Sequence, residues 1–163
     1  SNLNYLQPTG FKVLIDRAKY PNLEYFCQSV EHPSVSANAV DLPVRRVTAV
    51  PLPGDKITHG EIGFTIILDE EMTAYNEMHN WLQRLVNEGQ VGPSGRDTKF
   101  PTFADITLMI LSSHNNTTQK IRYRDCLPVS LGGINFTSTT GSVTYLTFTT
   151  SFRFSTFEII KQT

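Results

Sequence analysis

The side chains most able to do chemistry in this sequence are spread far apart. It contains four histidines, which are His32, His59, His79 and His114. No two of them have the i, i+4 spacing that places two ligands of one metal ion on the same face of a helix. We therefore interpret each histidine as a surface or packing residue and predict no metal site.

A cluster of acidic residues, Asp69, Glu70 and Glu71, has side chains that could serve acid–base chemistry. The cluster stands at the start of a predicted helix, where carboxylates bind free backbone N–H groups and interact favourably with the helix dipole. The sequence lacks the G-x-S-x-G elbow of serine hydrolases and the glycine-rich loops that bind phosphates. We predict no catalytic residue, no cofactor and no enzymatic activity.

Charge and cysteine content exclude further classes of protein. The formal net charge is -1 and the basic residues are scattered apart from Arg45-Arg46, so the sequence lacks the basic patch of a tight nucleic-acid binder. Cys27 and Cys126 lie about 100 residues apart, without the spacing of a zinc or redox motif. We interpret both as reduced, buried thiols, with a disulfide between them as the alternative.

The elements that position these residues are mostly strands. Residues 1–163 are predicted to form a single domain, since this is a usual domain length. The longest apolar stretches fall far short of the roughly 20 residues of a membrane-spanning helix, so we predict no membrane anchor. Phe11–Asp16 is predicted to be a strand, with Tyr25–His32 as its hairpin partner.

Residues 33–60 are predicted to form one long extended segment. Prolines and glycines interrupt this segment, and a proline, which lacks a backbone donor, is restricted to strand edges, bulges and turns. We expect an exposed hairpin or arm rather than a central strand, and it is the first candidate for an interface.

One helix is predicted over about residues 70–88. Apolar residues follow helical spacing, Asp69 is expected to cap its start, and Gly89 is expected to end it. Trp81 is interpreted as an anchor between this helix and a sheet.

The segments after the helix are predicted to be a loop and then strands. Residues 89–102 are too rich in glycine and proline for a regular element, so they should form a long loop. Phe103–Ser113 is predicted to be a strand. Lys120 to about Ser138 should form another, with a break at Leu127-Pro128 or Gly132-Gly133.

The last segment, Ser142–Ile160, is predicted to be one long strand with two different faces. One face carries phenylalanines and the other carries hydroxyl groups and one arginine. A neutral, hydroxyl-rich face suits the wall of a water-filled channel, and a plain solvent-exposed sheet is the alternative. The candidates for lining a channel are Thr147, Thr149, Ser151 and Arg153. An arginine there would need an acidic neighbour, for which the candidates are Glu61, Asp69 and Asp105.

The order of motifs along residues 10–88 is informative. The strand Phe11–Asp16 is followed by the segment Phe26-Cys27-Gln28-Ser29-Val30. The extended segment then contains Val44-Arg45-Arg46-Val47 and the turn Pro53-Gly54-Asp55. After it, the strand Gly63–Glu70 leads directly into the helix that contains His79-Asn80-Trp81. In this order the chain resembles the tail tube proteins of contractile-tailed, T-even-like phages, and their relatives the baseplate tube initiators and Hcp-like secretion tubes. The C-terminal strands match by pattern only.

The resemblance implies a mainly β (α+β) fold: a small antiparallel β-barrel or sandwich, flanked by one α-helix, with a protruding arm. It implies a structural protein of a phage tail tube, built of stacked hexameric rings that form the conduit for DNA ejection. The resemblance places the arm at about residues 40–58, where it would contact the adjacent ring. The interface candidates are Val44, Arg45, Arg46, Val47, Pro53, Asp55 and Lys56.

The same resemblance implies the partners of the protein. They are further copies of itself, a contractile sheath outside the tube, baseplate and tube-terminator proteins at its ends, and genomic DNA that passes without specific binding. The protein would be part of the virion after assembly in the host bacterial cytoplasm. A net charge near zero fits a conduit, because each phosphate that a basic wall neutralised would hold the DNA back.

Three alternatives remain open at the level of sequence. A baseplate tube initiator or tube-end protein would share the fold and meet a different partner on one side. An Hcp-like secretion tube would be distinguished by its genome neighbourhood. An enzyme or small-ligand carrier on a β-barrel would need a convergent polar site, which the sequence does not suggest.

Overall fold

Antiparallel strands account for most of the structure. The computed structural model describes residues 5–15, 20, 22–23, 26–45, 48–90, 103–138, 141 and 145–161. In chain order the described elements are β1 (Phe11–Leu14), β2 (Cys27–Glu31), β3 (Val35–Arg45), β4 (Thr48–His59), β5 (Ile62–Ile67), α1 (Thr73–Gln90), β6 (Ala104–Leu111), β7 (Thr117–Leu131), β8 (Thr147–Arg153) and β9 (Thr156–Lys161). The prediction of a mainly β, antiparallel fold with one flanking helix is confirmed.

The strands of the body form two sheets that share β7. Sheet A has the order β1-β6-β7-β9, and sheet B has the order β7-β8-β5-β2. The first part of β7 belongs to sheet A and its last part to sheet B, and the strand bends between these parts near Asp125, whose φ is 54°. The chain crosses back at Ser155, whose backbone N–H donates to the Arg124 carbonyl oxygen at 3.0 Å. The result is a sandwich-like pair of sheets and not a closed barrel.

The predicted N-terminal hairpin is wrong. The strand predicted at Phe11–Asp16 appears as β1 and pairs with β6, whereas the strand predicted at Tyr25–His32 appears as β2 and pairs with β5. The two strands therefore belong to different sheets. The two strands are close in sequence, which suggested that they pair with each other. Each instead pairs with a strand that lies much further along the chain.

The predicted C-terminal strands also differ from those in the structure, because the chain passes from one sheet to the other at Asp125 and at Ser155. The segment Ser142–Ile160 contains two strands, because the corner at Ser155 moves the chain from sheet B to sheet A. Of the two predicted positions for a break in the preceding strand, Leu127-Pro128 is wrong, because β7 bends at Asp125 and continues through Pro128, whereas Gly132-Gly133 agrees with the end of β7 at Leu131. A register shift follows Pro128, in keeping with the restriction of proline to edges and bulges.

Helix α1 begins later and ends later than predicted. Asp69 caps it, accepting hydrogen bonds from the Thr73 backbone N–H at 2.8 Å and the Thr73 hydroxyl at 2.7 Å, which lower the pKa of the Asp69 carboxyl. The helix continues through Gly89 to Gln90, so the prediction that Gly89 ends it is wrong. The remainder of the predicted loop, residues 91–102, lies outside the described residues.

The core lies between the inner faces of the sheets and beneath α1. Trp81 is almost completely buried, stacks on Tyr20 with ring centroids 4.4 Å apart, and lies 5.5 Å from the ring of Phe152. The interpretation of Trp81 as an anchor between helix and sheet is confirmed. Cys126 is buried as predicted, whereas Cys27 is only partly buried. Both are free thiols, and burial raises their pKa to about 12 and about 11, respectively. Both remain protonated and unreactive at neutral pH.

The arm is a separate two-stranded sheet of β3 and β4, so it spans residues 35–59 rather than 40–58. The turn predicted at Pro53-Gly54-Asp55 is instead a bulge within β4, because Ala37 pairs with Ile57 and Ala39 with Pro53. A Cβ atom at Gly54 would lie 1.6 Å from the Asn38 carbonyl oxygen, so only glycine fits this close approach.

Candidate assembly surfaces

The arm exposes an apolar face that sequence reasoning missed. Val40 pairs with Leu52 and Leu42 with Val50, so all four side chains share one side of the hairpin. They are 56%, 40%, 46% and 44% exposed, respectively. We call these four residues the arm patch. Apolar residues at alternate positions, 40 and 42 on one strand and 50 and 52 on the other, were the available signal.

The predicted interface residues lie at two other places on the arm. Val44 and Arg45 end β3, whereas Arg46 and Val47 lie outside the described residues. Pro53, Asp55 and Lys56 belong to the β4 bulge or adjoin it, and all three are exposed. The structure therefore does not bring the predicted residues into one cluster, and the arm patch lies between the two places.

Aromatic packing holds the root of the arm. The Gly60 N–H donates to the Ser34 carbonyl oxygen at 2.8 Å, which joins the chain entering the arm to the chain leaving it. His59, at the end of β4, lies 5.4 Å from the ring of Phe157, and His32, before β3, lies 5.1 Å from the same ring. Both strands of the arm therefore start from one aromatic cluster of the body.

A hydrogen bond fixes His32 further. Its Nδ1 atom lies 2.6 Å from the hydroxyl oxygen of Tyr123, a residue buried at the centre of β7. Burial lowers the pKa of His32 and raises the pKa of Tyr123, so both groups are neutral at neutral pH. The interpretation of His32 as a packing residue holds in the structure.

The outer face of sheet B is rich in hydroxyl groups and carries few charged side chains. Thr149 pairs with Thr65, and Ser151 pairs with Gly63 on one side and Ser130 on the other. The hydroxyls of Ser130 and Ser151 are hydrogen-bonded to each other. The channel-lining candidates Thr147, Thr149, Ser151 and Arg153 therefore share one face, as the alternation predicted. Sequence reasoning missed the neighbouring hydroxyls because it could not supply the strand order.

Arg153 lies at the edge of this face, and of the three predicted acidic neighbours Glu61 is adjacent to it, because it directly precedes β5 at the register position opposite Arg153. Asp69 caps α1, and Asp105 forms an ion pair with Arg122 at 3.1 Å. In the described part of the chain Arg153 makes no ion pair. A second acidic side chain on the face is Glu31, which pairs with Gly63 on β5. The described part of this face therefore carries two acidic side chains and one basic one, and it has no excess of positive charge.

The outer face of sheet A has a different character. Arg124 forms an ion pair with Glu158 at 2.7 Å, next to the pair of Arg122 with Asp105. Lys12 and Lys120 flank Met109 in the same row of the sheet and add two further positive charges. Four basic and two acidic side chains therefore give the described part of this face an excess of positive charge.

Comparison with known proteins identifies the family. The model of the phage tail tube protein family matches residues 3–160. The chain belongs to this family. It is therefore a structural protein of a tail tube. A comparison with curated protein sequences finds no significant match.

Solved structures with the same fold come from related machines. The tube-terminating cap of the anti-feeding prophage aligns with a TM-score of 0.70 at 11% identity, over 99% of this chain and 95% of that one. A chain of the PVC extracellular contractile injection system, from its sheath–tube complex, aligns with a TM-score of 0.68 at 14% identity, over 98% and 94%. The Hcp protein aligns with a TM-score of 0.51 at 8% identity, over 96% and 100%. These likenesses establish the fold.

Sheet B of this tail tube protein has two free edges. Among the described residues, β2 pairs only with β5, and the Leu127–Leu131 part of β7 pairs only with β8. Each edge is five residues long. Because the four strands alternate in direction, β2 of one copy would lie antiparallel to β7 of the next. The two edges are therefore complementary in length and direction.

No other functional centre emerges from the described residues. They contain no group of three His, Cys, Asp or Glu side chains placed to bind a metal ion. Across the same residues, no helix has the length and apolar character needed to cross a membrane.

Proposed function

We propose that this tail tube protein forms six-membered rings, which stack into the tube through which phage DNA is ejected. The observation that carries the proposal is the pair of free edges of sheet B. Unpaired edges are a hazard for a soluble protein, and pairing them between copies satisfies their backbone groups. Such head-to-tail pairing repeats around an axis and closes into a ring, which extends sheet B into a continuous wall.

The two outer faces indicate which sheet lines the channel. A basic wall would bind DNA phosphates and release counterions, which would slow passage of the genome. Sheet B has a hydroxyl-rich face without an excess of positive charge, whereas sheet A has an excess of basic side chains. We therefore assign the lumen to sheet B, with Thr147, Thr149 and Ser151 in its wall.

Sheet A would then face outward, where a contractile sheath surrounds the tube. Support comes from the similarity to a chain of the PVC sheath–tube complex. Tube-terminator and baseplate proteins would bind the two ends, and the likeness to a tube-terminating cap supports the first of these. The protein would act without catalysis, as a part of the virion that is assembled in the host cytoplasm.

Electron microscopy of the purified protein, together with sedimentation, tests ring formation. We expect rings or tubes, with a smallest assembly of six copies of the 18.3 kDa chain. A chain that remains monomeric at high concentration and is missing from virions would contradict the proposal.

Lysine substitutions test the assignment of the lumen. Thr147→Lys with Thr149→Lys should permit assembly and slow DNA ejection, with an effect that weakens as salt concentration rises. Thr107→Lys, on the outer face of sheet A, is the matched control and should leave the ejection rate unchanged. Slower ejection from the control alone would reverse the assignment.

A further inference from the structure

The two free edges of sheet B carry the same irregularity. These edges are Cys27–Glu31 of β2 and Leu127–Leu131 of β7. Each contains one extra residue relative to the strand that it pairs with, Gln28 on β2 and Val129 on β7. Such a β-bulge shifts the alternation of inward and outward side chains by one position. The edges of two copies can therefore pair with matching faces only if the two shifts agree.

The edge of β2 turns two side chains inward, with two exposed residues between them. Cys27 and Val30 are the inward residues, and both pack against the hydrophobic core. Glu31 follows them, is exposed, and pairs with Gly63, which in turn pairs with Ser151 on the outer face of sheet B. Read from Cys27 to Glu31, the order is therefore one inward residue, two exposed residues, one inward residue and one outward residue.

The edge of β7 has the same order when it is read in the opposite direction. Leu131 packs against the core, Pro128 is buried, and the two residues between them are exposed. Leu127 comes last, and it pairs with the exposed Arg153 on the outer face. As antiparallel partners the two edges therefore match along their whole length. The matched positions are Cys27–Leu131, Val30–Pro128 and Glu31–Leu127.

Other registers between these edges are less favourable. A shift by one residue would place Glu31 opposite Pro128 or Val30 opposite Leu127, so that an outward side chain would face an inward one. A shift by two residues would shorten the paired segment from five residues to three. The matched bulges therefore favour one register between copies.

This register brings two opposite charges together. Arg153 lies beside Leu127, so Glu31 of the adjacent copy would be two strand spacings from Arg153, about 10 Å between Cα atoms. Their two long side chains together can span that distance. Arg153 also lines a groove of about 440 Å³ with Leu127 and Phe154, which places it at the free edge of β7. Across the described chain, neither Arg153 nor Glu31 is part of an ion pair, and both are exposed.

We propose that the two bulged edges fix the register between copies of a ring, and that Glu31 of one copy forms an ion pair with Arg153 of the next. Within one copy these two residues are offset by two positions along the strands, because Glu31 lies in the row of Gly63 and Ser151. Between copies they lie in the same row. This inference rests on the proposed ring and names the residues that determine how its subunits pair.

Charge reversal tests the ion pair. Glu31→Arg and Arg153→Glu should each raise the protein concentration needed for ring formation by roughly fivefold or more, because each places like charges across every contact of the ring. An equal mixture of the two variants should assemble as the wild type does, since alternating copies bring opposite charges together at each contact. Glu70→Arg, at an exposed acidic residue before α1, is the matched control and should assemble normally. A mixture that assembles no better than the single variants, or normal assembly of both, would overturn the ion pair.

Cysteine pairs test the register. A chain with Glu31→Cys and Leu127→Cys should form disulfides between copies when rings are oxidised, because directly opposite residues have the Cβ separation that a disulfide needs. Within one copy the two positions are about 14 Å apart or more, which is beyond disulfide reach. Covalent oligomers of up to six copies should then appear on a non-reducing gel.

The matched control is the chain with Glu31→Cys and Ser130→Cys, whose second cysteine lies three positions further along the same edge. It should form far fewer disulfides between copies. Preferential crosslinking of this control pair would overturn the register while leaving ring formation intact. If the wild-type protein forms no rings, the proposed function itself is wrong, and this inference falls with it.

Discussion

The body and the arm bury their apolar side chains in different ways. In the body, residues such as Ile62, Phe152 and Trp81 are almost inaccessible to solvent, because two sheets and a helix enclose them. In the arm, residues of equal hydrophobicity, such as Val40 and Leu42, are about half exposed. The body therefore encloses its apolar side chains by itself, whereas the described part of the chain leaves those of the arm open to solvent.

The largest effect on the free energy of unfolding is expected in the body. Trp81→Ala removes the ring that packs on Tyr20 and Phe152, and it leaves a cavity between α1 and the sheets. We expect a loss of about 3–5 kcal/mol, which denaturant unfolding would measure. A loss below about 1 kcal/mol would show that the helix adds little to the core.

A smaller effect is expected where the arm joins the body. Tyr123→Phe removes the hydroxyl that bonds with His32 and keeps the aromatic ring. We expect a loss of about 0.5–1.5 kcal/mol in the free energy of unfolding, the usual range for one hydrogen bond. His32→Gln is the companion variant, and the double variant should lose little more than either single one. Additive losses would show that the two side chains act independently.

The same contact predicts a weak pH dependence. Burial lowers the pKa of folded His32 below the 6.5 of the unfolded chain, so the unfolded state binds the proton first as pH falls. The contribution to stability is complete above about pH 6.5 and decreases below it as the pH approaches the folded pKa. Because His32 is exposed, the decrease should be small. His32→Gln should show a smaller fall in melting temperature between pH 7.5 and 5.5 than the wild type.

The sequence predicted the positions of the strands better than it predicted which strands pair. Alternation in residues 62–67 and 147–153 placed the strands and their faces, because each inward side chain obeys the same local period. It could not show that β1 pairs with β6, since that pairing depends on the whole sandwich. Bends at Asp125 and Ser155 were also missed, because neither is a glycine or a proline.

The prediction of interface residues on the arm was limited in the same way, because it could not use strand pairing. Its prolines correctly predicted an extended segment outside the main sheets, yet they drew attention to Pro53 and its neighbours rather than to the arm patch. The apolar pairs Val40–Leu52 and Leu42–Val50 became visible only once the register was known.

The smallest effect on stability, and a large effect on assembly, is expected from shortening the arm. Ala39 and Pro53 are paired, so residues 40–52 can be replaced by the two-residue turn Asn-Gly, which connects paired antiparallel strands. Because the removed residues belong to the separate β3–β4 sheet, we expect the melting temperature of the body to stay close to that of the wild type. The shortened protein should still form rings, since both free edges of sheet B remain, but the rings should not stack into tubes. Sedimentation and electron microscopy would distinguish these outcomes. Unfolding of the shortened chain would mean that the arm belongs to the core, and normal tubes would mean that the arm does not join the rings.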